Sequence, residues 1–103
     1  VEYIEKITRE SIERFEMGID LASEDIEIIE GYYGEGYGQV TSEVAALIRE
    51  CAVSDGLILD PVYTGKAMLG LVGEEEKLEG GKVLFIHTGG IFSLFGFKNE
   101  LLG

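Results

Sequence analysis

Hydrophobic positions at the start of the chain recur at helical spacing. Ile4, Ile7, Ser11, Ile12 and Phe15 share one face, with Glu2, Glu5, Arg9 and Glu13 outside, predicting a helix closed by Met17 and Gly18. Asp25 to Ile29 (DIEII) predicts a strand, and the adjacent Ile28 and Ile29 suit burial on both faces better than strict alternation. The helical period returns with Val44, Leu47, Ile48 and Cys51, started by Thr41 as N-cap, favoured by Glu43 and stopped by Gly56. Leu57, Ile58 and Leu59 form an apolar run that predicts a buried strand or strand end. Asp60 then offers an N-cap carboxylate and Pro61 suits a first helical position, with the helix continuing through Ala67 to Val72 and fraying at Gly70 and Gly73. Lys82 to His87 (KVLFIH) is the clearest strand; Thr88, Gly89 and Gly90 end it, and Ile91 to Phe95 begins a short last helix. Strands alternating with helices, the strands being continuous apolar runs, argue an α/β architecture with a buried parallel sheet.

The breaks in this pattern carry the candidate chemistry. Gly31 to Gly38 (GYYGEGYG) holds four glycines and three tyrosines, too Gly-rich for the interior of an element. Its backbone can approach a ligand or another chain closely. Hydroxyls stand at three junctions: Tyr37 in the glycine loop, Tyr63 and Thr64 in DPVYTGK, and Thr88 after the last strand. An apolar strand running into a capped helix is where open α/β sheets place ligands. The alternative, a well-capped helix whose Tyr63 only packs, stays open on spacing alone.

Composition narrows the classes. The chain has 103 residues, enough for one domain, and a net charge of −12, which disfavours a nucleic-acid backbone as partner. Glu74 to Glu76 reads as a solvated loop or helix end. The single cysteine, Cys51, excludes an internal disulfide and reads as a buried structural thiol in a reducing, cytoplasmic compartment. No apolar run long enough to span a membrane occurs. One histidine, His87, and one cysteine do not make a metal site. Thr88-Gly89-Gly90 could cradle an anion but lacks the P-loop signature. Lys66, one turn into a helix, is expected to be half-exposed and is rejected as a Schiff-base lysine.

Three pieces, GYG at Gly36 to Gly38, LDPVYTGKAM at Leu59 to Met68 and VLFIHTGG at Val83 to Gly90, followed by SLFGF at Ser93 to Phe97, make a recognisable set in order and spacing. The chain resembles, over about residues 30–97, pyridoxal-phosphate enzymes of the tryptophan synthase β-like fold (fold type II). Within that group it is similar to the D-cysteine desulfhydrase and 1-aminocyclopropane-1-carboxylate (ACC) deaminase branch. The resemblance implies that residues 1–103 are a single α/β segment, the C-terminal part of a three-layer large domain with a mostly parallel sheet. It implies pyridoxal 5'-phosphate as cofactor, with Tyr37 and Tyr63 as paired catalytic tyrosines on the substrate side and Thr64, Thr88 and Gly89 beside the cofactor.

ACC deaminases of this branch carry Glu and Leu where this chain has Thr64 and Thr88, and desulfhydrases carry Thr and Thr. The resemblance therefore favours α,β-elimination from D-cysteine to pyruvate, ammonia and hydrogen sulfide, with ACC deamination as the rival. It also implies that the Schiff-base lysine and the phosphate-gripping loop lie upstream, so that this chain alone is inactive. The full-length enzyme is expected to be a homodimer acting on a small amino acid, with no nucleic-acid or membrane partner. A non-catalytic α/β module binding a small ligand is the alternative from another class.

Overall fold

The computed structural model describes residues 1–103, and its regular structure is helical. Helix α1 spans Glu2–Arg14, α2 Ser42–Asp55, α3 Thr64–Gly73 and α4 Lys98–Leu102, with 3-10 turns at Ser23–Asp25, Glu75–Leu78 and Ile91–Phe97.

Two boundaries fall where the side chains require them. Thr41 Oγ1 accepts the Val44 N–H at 3.2 Å, satisfying a donor at the start of α2, and Gly56 ends that helix at φ +66°. α1 stops earlier than its hydrophobic pattern suggested. The Met17 N–H reaches Ile12 O and the Glu16 N–H reaches Glu13 O, a Schellman closure with Glu16 left-handed at φ +49°, and Gly18 follows at φ +64°.

The core is small and central. Val44, Ala45 and Ile48 of α2 pack with Leu59 and Leu101, and Val40, Leu57, Met68, Phe85 and Phe97 close around them. Arg49 Nη1 donates to the Leu101 carbonyl, which ties α4 to α2. Gly65 lets α3 begin against α2: a Cβ there would lie 2.7 Å from Asp60 O and 2.8 Å from Ile48 Cδ1. Cys51 lies half-buried against this core, and desolvation, followed by Asp55 and Glu50, pushes its thiol up from the ordinary value.

The three expected strands, 25–29, 57–59 and 82–87, are not strands here. Asp25 ends a 3-10 turn, the rest is irregular backbone without a ladder, and the residues meant for burial, Ile28, Ile29, Val83, Leu84 and Ile86, are exposed. The physical reason is that a strand is defined by its neighbour. Runs suited to burial on both faces need pairing on both edges and cover on both sides. The one polar tie between the second and third segments is a side chain: His87 Nε2 to Ile58 O at 2.7 Å. The Gly89 N–H donates to His87 Nδ1 at 3.1 Å, so the ring donates at one nitrogen and accepts at the other.

Size measures agree with so much uncovered apolar surface. The accessible surface is 8030 Å², against about 5,700 Å² for a folded monomer of this mass. The radius of gyration is 16.1 Å, against about 13 Å for a compact chain of this length. Helix α1 buries no residue, and Ile4, Ile7 and Phe15 leave its apolar stripe open. Apolar faces of this kind mark interaction surfaces.

Replacing Gly65 by Ala should destabilise the full-length protein by about 1–3 kcal/mol through overpacking against backbone. Gly96→Ala, where an added Cβ meets nothing within 4 Å, should leave stability within about 0.5 kcal/mol. Urea unfolding of the two variants checks the contrast.

Candidate functional site

Asp60 is the anchor of the site. Its Oδ1 accepts the Val62 and Tyr63 N–H groups, both at 2.8 Å, and its Oδ2 accepts the Thr64 N–H at 2.8 Å and the Thr64 hydroxyl at 2.6 Å. The Asp60 N–H in turn donates to Thr64 Oγ1 at 2.8 Å. The Asp60 carboxylate gathers these N–H groups, but it is not the helix N-cap that its sequence position predicts. Residues 61–63 form a turn, and the α-helix begins at Thr64, not Pro61, with Tyr63 in the cap position. Four donors on one carboxylate outweigh its burial. Desolvation pushes the acid up, the Thr64 hydroxyl and the three N–H groups pull it down, and the balance lies below the ordinary 3.8.

This network settles the state of Thr64. The residue is 2% exposed and its hydroxyl proton is committed to Asp60, leaving one lone pair to offer elsewhere. The turn after the last of the expected strands closes on the same carboxylate. Gly90, at φ +82°, would place a Cβ 2.9 Å from Asp60 Cγ, so only glycine lets the turn carrying Thr88 and Gly89 sit there. Thr88 itself is exposed.

The two phenols meet. Tyr63 Oη donates to Tyr37 Oη at 3.4 Å, and the rings lie edge to face with centroids 6.1 Å apart. That oxygen separation exceeds the about 2.7–2.8 Å typical of O–H···O, so the bond is weak. Both side chains are exposed, Tyr37 at 81% and Tyr63 at 58%. Tyr37 raises the Tyr63 phenol above its ordinary value, first by that hydrogen bond and then by charge, with lesser help from desolvation and Asp60. The hollows of the molecule lie elsewhere. An apolar one of about 420 Å³ sits between α2 and α4, and one of about 500 Å³ is lined by Ile29, Tyr32, Lys66, Gly70 and Phe85.

The chain's sequence does not announce what holds Tyr37. Lys66, expected to be half-exposed, is buried, and its Nζ donates to Tyr33 O at 2.7 Å and Gly36 O at 3.0 Å. The pairing of a helix lysine with loop carbonyls has no sequence signature. Tyr32 lies across α3: a Cβ on Gly70 would come within 3.3 Å of its ring, and one on Gly73 would clash with its hydroxyl. The Tyr32 hydroxyl donates to Glu74 at 3.1 Å, and Glu74 also pairs with Lys77. Glu74 is therefore part of a latch, not merely a solvated acid as its place in an acidic run suggested. Two glycines one turn apart, facing an aromatic, were the available signal.

Comparison with known proteins gives the family. The sequence profile described as "Pyridoxal-phosphate dependent enzyme" matches residues 3–89, and the chain belongs to that family. It is 45% identical over 103 residues to a protein of Pyrococcus furiosus named "Putative 1-aminocyclopropane-1-carboxylate deaminase", covering 99% of this chain and 30% of that protein. It is 45% identical over 83 residues to an Arabidopsis thaliana protein named "Bifunctional D-cysteine desulfhydrase/1-aminocyclopropane-1-carboxylate deaminase, mitochondrial", covering 77% of this chain and 21% of that one. A solved structure, "Crystal Structure Analysis of the ACC deaminase homologue", superposes with a TM-score of 0.78 at 40% identity, covering 98% of this chain and 30% of that one. The chain thus spans under a third of each of these proteins. No helix is long and apolar enough to cross a membrane.

The residues present fit pyridoxal phosphate, the cofactor of this family. Two phenols stand on an open face, and Gly36, Gly38 and Gly89 have no atom within 4 Å of where a Cβ would be, so a flat ring can approach the backbone closely.

Asp60→Asn should lower stability of the full-length protein by about 2–3 kcal/mol at neutral pH, because it removes charge-assisted bonds. A carboxylate whose folded pKa is depressed contributes stability above its unfolded pKa and loses it as pH falls through the folded value. The thermal midpoint should therefore drop below about pH 4 in the parent and less steeply in Asp60→Asn, as calorimetry from pH 6 to pH 2.5 would show.

Proposed function

We propose that the chain is the substrate-side segment of a pyridoxal-phosphate-dependent lyase, and that the full-length protein is a D-cysteine desulfhydrase. The observation that carries this reading is the meeting of Tyr37 and Tyr63, from separate turns, at 3.4 Å on an exposed face. When bound, the cofactor supplies an electron sink beside the amino acid's Cα. The reaction breaks the Cα–H and Cβ–S bonds of D-cysteine and, with water, yields pyruvate, ammonia and hydrogen sulfide.

Tyr37 and Tyr63 are proposed as the acid–base pair, one phenol giving a proton to the departing sulfur while the other holds it in place. A phenol is protonated at neutral pH whether or not its value is raised, so either ring has a proton to give. Thr88 and Gly89 would stand beside the cofactor, where Thr88 would offer its exposed hydroxyl. Thr64 would stand at the pyridine side, with one lone pair left to accept a bond. A neutral Thr pair suits expulsion of a thiolate, which demands less of the ring than opening a cyclopropane.

Lys66 is spent on two carbonyls. The lysine that holds the cofactor would therefore come from the longer protein, and this chain alone would be inactive. The same longer protein would supply the strands that pair 25–29, 57–59 and 82–87 into a mostly parallel sheet, and would act as a cytoplasmic homodimer. The second reading, ACC deaminase, is favoured by the names of relatives, which include that activity.

Assay of the full-length protein separates the two. Sulfide and pyruvate should appear from D-cysteine at a kcat/KM at least tenfold above that for ACC, and selective release of 2-oxobutanoate from ACC would replace this reading with the second. Tyr37→Phe and Tyr63→Phe should each cut turnover by about 10²-fold, the loss expected on removing a positioned proton donor. Unchanged turnover in both would remove the phenols from the chemistry.

A further inference from the structure

The glycine loop has little to hold it in shape by itself. Tyr37 is flanked by Gly36 at φ +147° and Gly38 at φ +73°, two conformations that favour glycine, which carries no side chain to pack the loop down. The loop's backbone hydrogen bond is the Gln39 N–H to Gly36 O at 3.3 Å, which makes one weak closure for eight residues of turn. A segment with so few internal ties places a side chain only if something outside fixes it.

Lys66 does this at the residue that matters. Its Nζ bridges Tyr33 O at 2.7 Å and Gly36 O at 3.0 Å, the second carbonyl being the one that also accepts Gln39 and directly precedes Tyr37. The side chain rises from α3 three residues after Tyr63, so the element that carries one phenol also grips the loop that carries the other. Tyr32 anchors the far end of the loop on the same helix through Gly70, Gly73 and Glu74, but it leaves the stretch from Tyr33 onward to Lys66.

We infer that Lys66 is a positioning residue: by bridging the Tyr33 and Gly36 carbonyls it sets the glycine loop so that the Tyr37 phenol meets Tyr63. This rests on the reading that Tyr37 faces the substrate, and it acts through Tyr37 with no contact of its own to the reacting atoms. A flexible lysine serves because a turn of carbonyls offers acceptors at unequal angles, which three rotatable N–H donors satisfy better than a planar fork.

The test uses the full-length protein loaded with pyridoxal phosphate, as parent, Lys66→Met, Tyr37→Phe and the double variant. Lys66→Met should lower kcat at least tenfold with KM for D-cysteine changed less than threefold. In the Tyr37→Phe background the same change should cost less than twofold, because the phenol it positions is gone. Independently of activity, amide exchange at residues 34–39 should quicken at least tenfold in Lys66→Met while α3 amides from Ala67 to Leu71 keep their protection. Lys66→Arg should restore part of the lost kcat, and Lys66→Gln is read in place of Lys66→Met if the latter is not recovered folded. Equal losses in both backgrounds, or unchanged loop exchange, would overturn the inference. So would failure of both neutral variants to fold, since Lys66 would then be holding the body of α3. Should the parent lack lyase activity, the functional reading fails while loop exchange still decides the role of Lys66.

Discussion

One buried carboxylate organises this chain. Asp60 accepts four hydrogen bonds within the five residues that follow it, and an unpaired charge at 1% exposure would be costly without them. The geometry it imposes sets where Tyr63 leaves the backbone, where Thr64 turns its hydroxyl, and where α3 begins. It also decides what may stand opposite, because the Gly90 turn packs on the same carboxyl group. Two segments thirty residues apart are therefore registered through one side chain.

From that origin, α3 works as a ruler. Tyr63 lies at its start, Lys66 one turn in, and Gly70 and Gly73 on the face that receives Tyr32. Every tie on the glycine loop described above ends on this helix or on Glu74 just past it. Both phenols are thus tied to one helix, the kind of rigid support that a site built on loops needs. Membership of the pyridoxal-phosphate-dependent family is consistent with such economy, since a cofactor that carries the hard chemistry leaves the protein to orient and to move protons.

Much of this was legible in the residues, and the failures have physical causes. The cap at Thr41 and the stop at Gly56 follow from local hydrogen bonding, and local rules found them. Asp60 does gather the N–H groups that follow it, but the helix starts at Thr64, three residues later than a cap at Asp60 implies. The meeting of Tyr37 and Tyr63 came through resemblance to a family, since no spacing rule brings residues 26 apart together. Lys66 was misjudged because amphipathic position predicts exposure, whereas the Tyr33 and Gly36 carbonyls of the loop accept its ammonium and hold it inward. The strands are the instructive miss. Val83 to Ile86 has the composition of a central strand, but a ladder is a property of at least two segments, and a pattern reports only one. Its exposed apolar side chains show the expectation was about partners as much as about conformation.

The slackness of the phenol contact has its own consequence. Two hydroxyl groups joined by one link hold two hydrogens, of which only one lies between them; the other is free to turn outward. Since the link is stretched, a newcomer oxygen or sulfur can capture either hydrogen with little competition, and the direction of the link can reverse as it does so. The pair is thus a two-way donor, able to serve an incoming group from whichever ring it approaches first, without either side chain leaving its place.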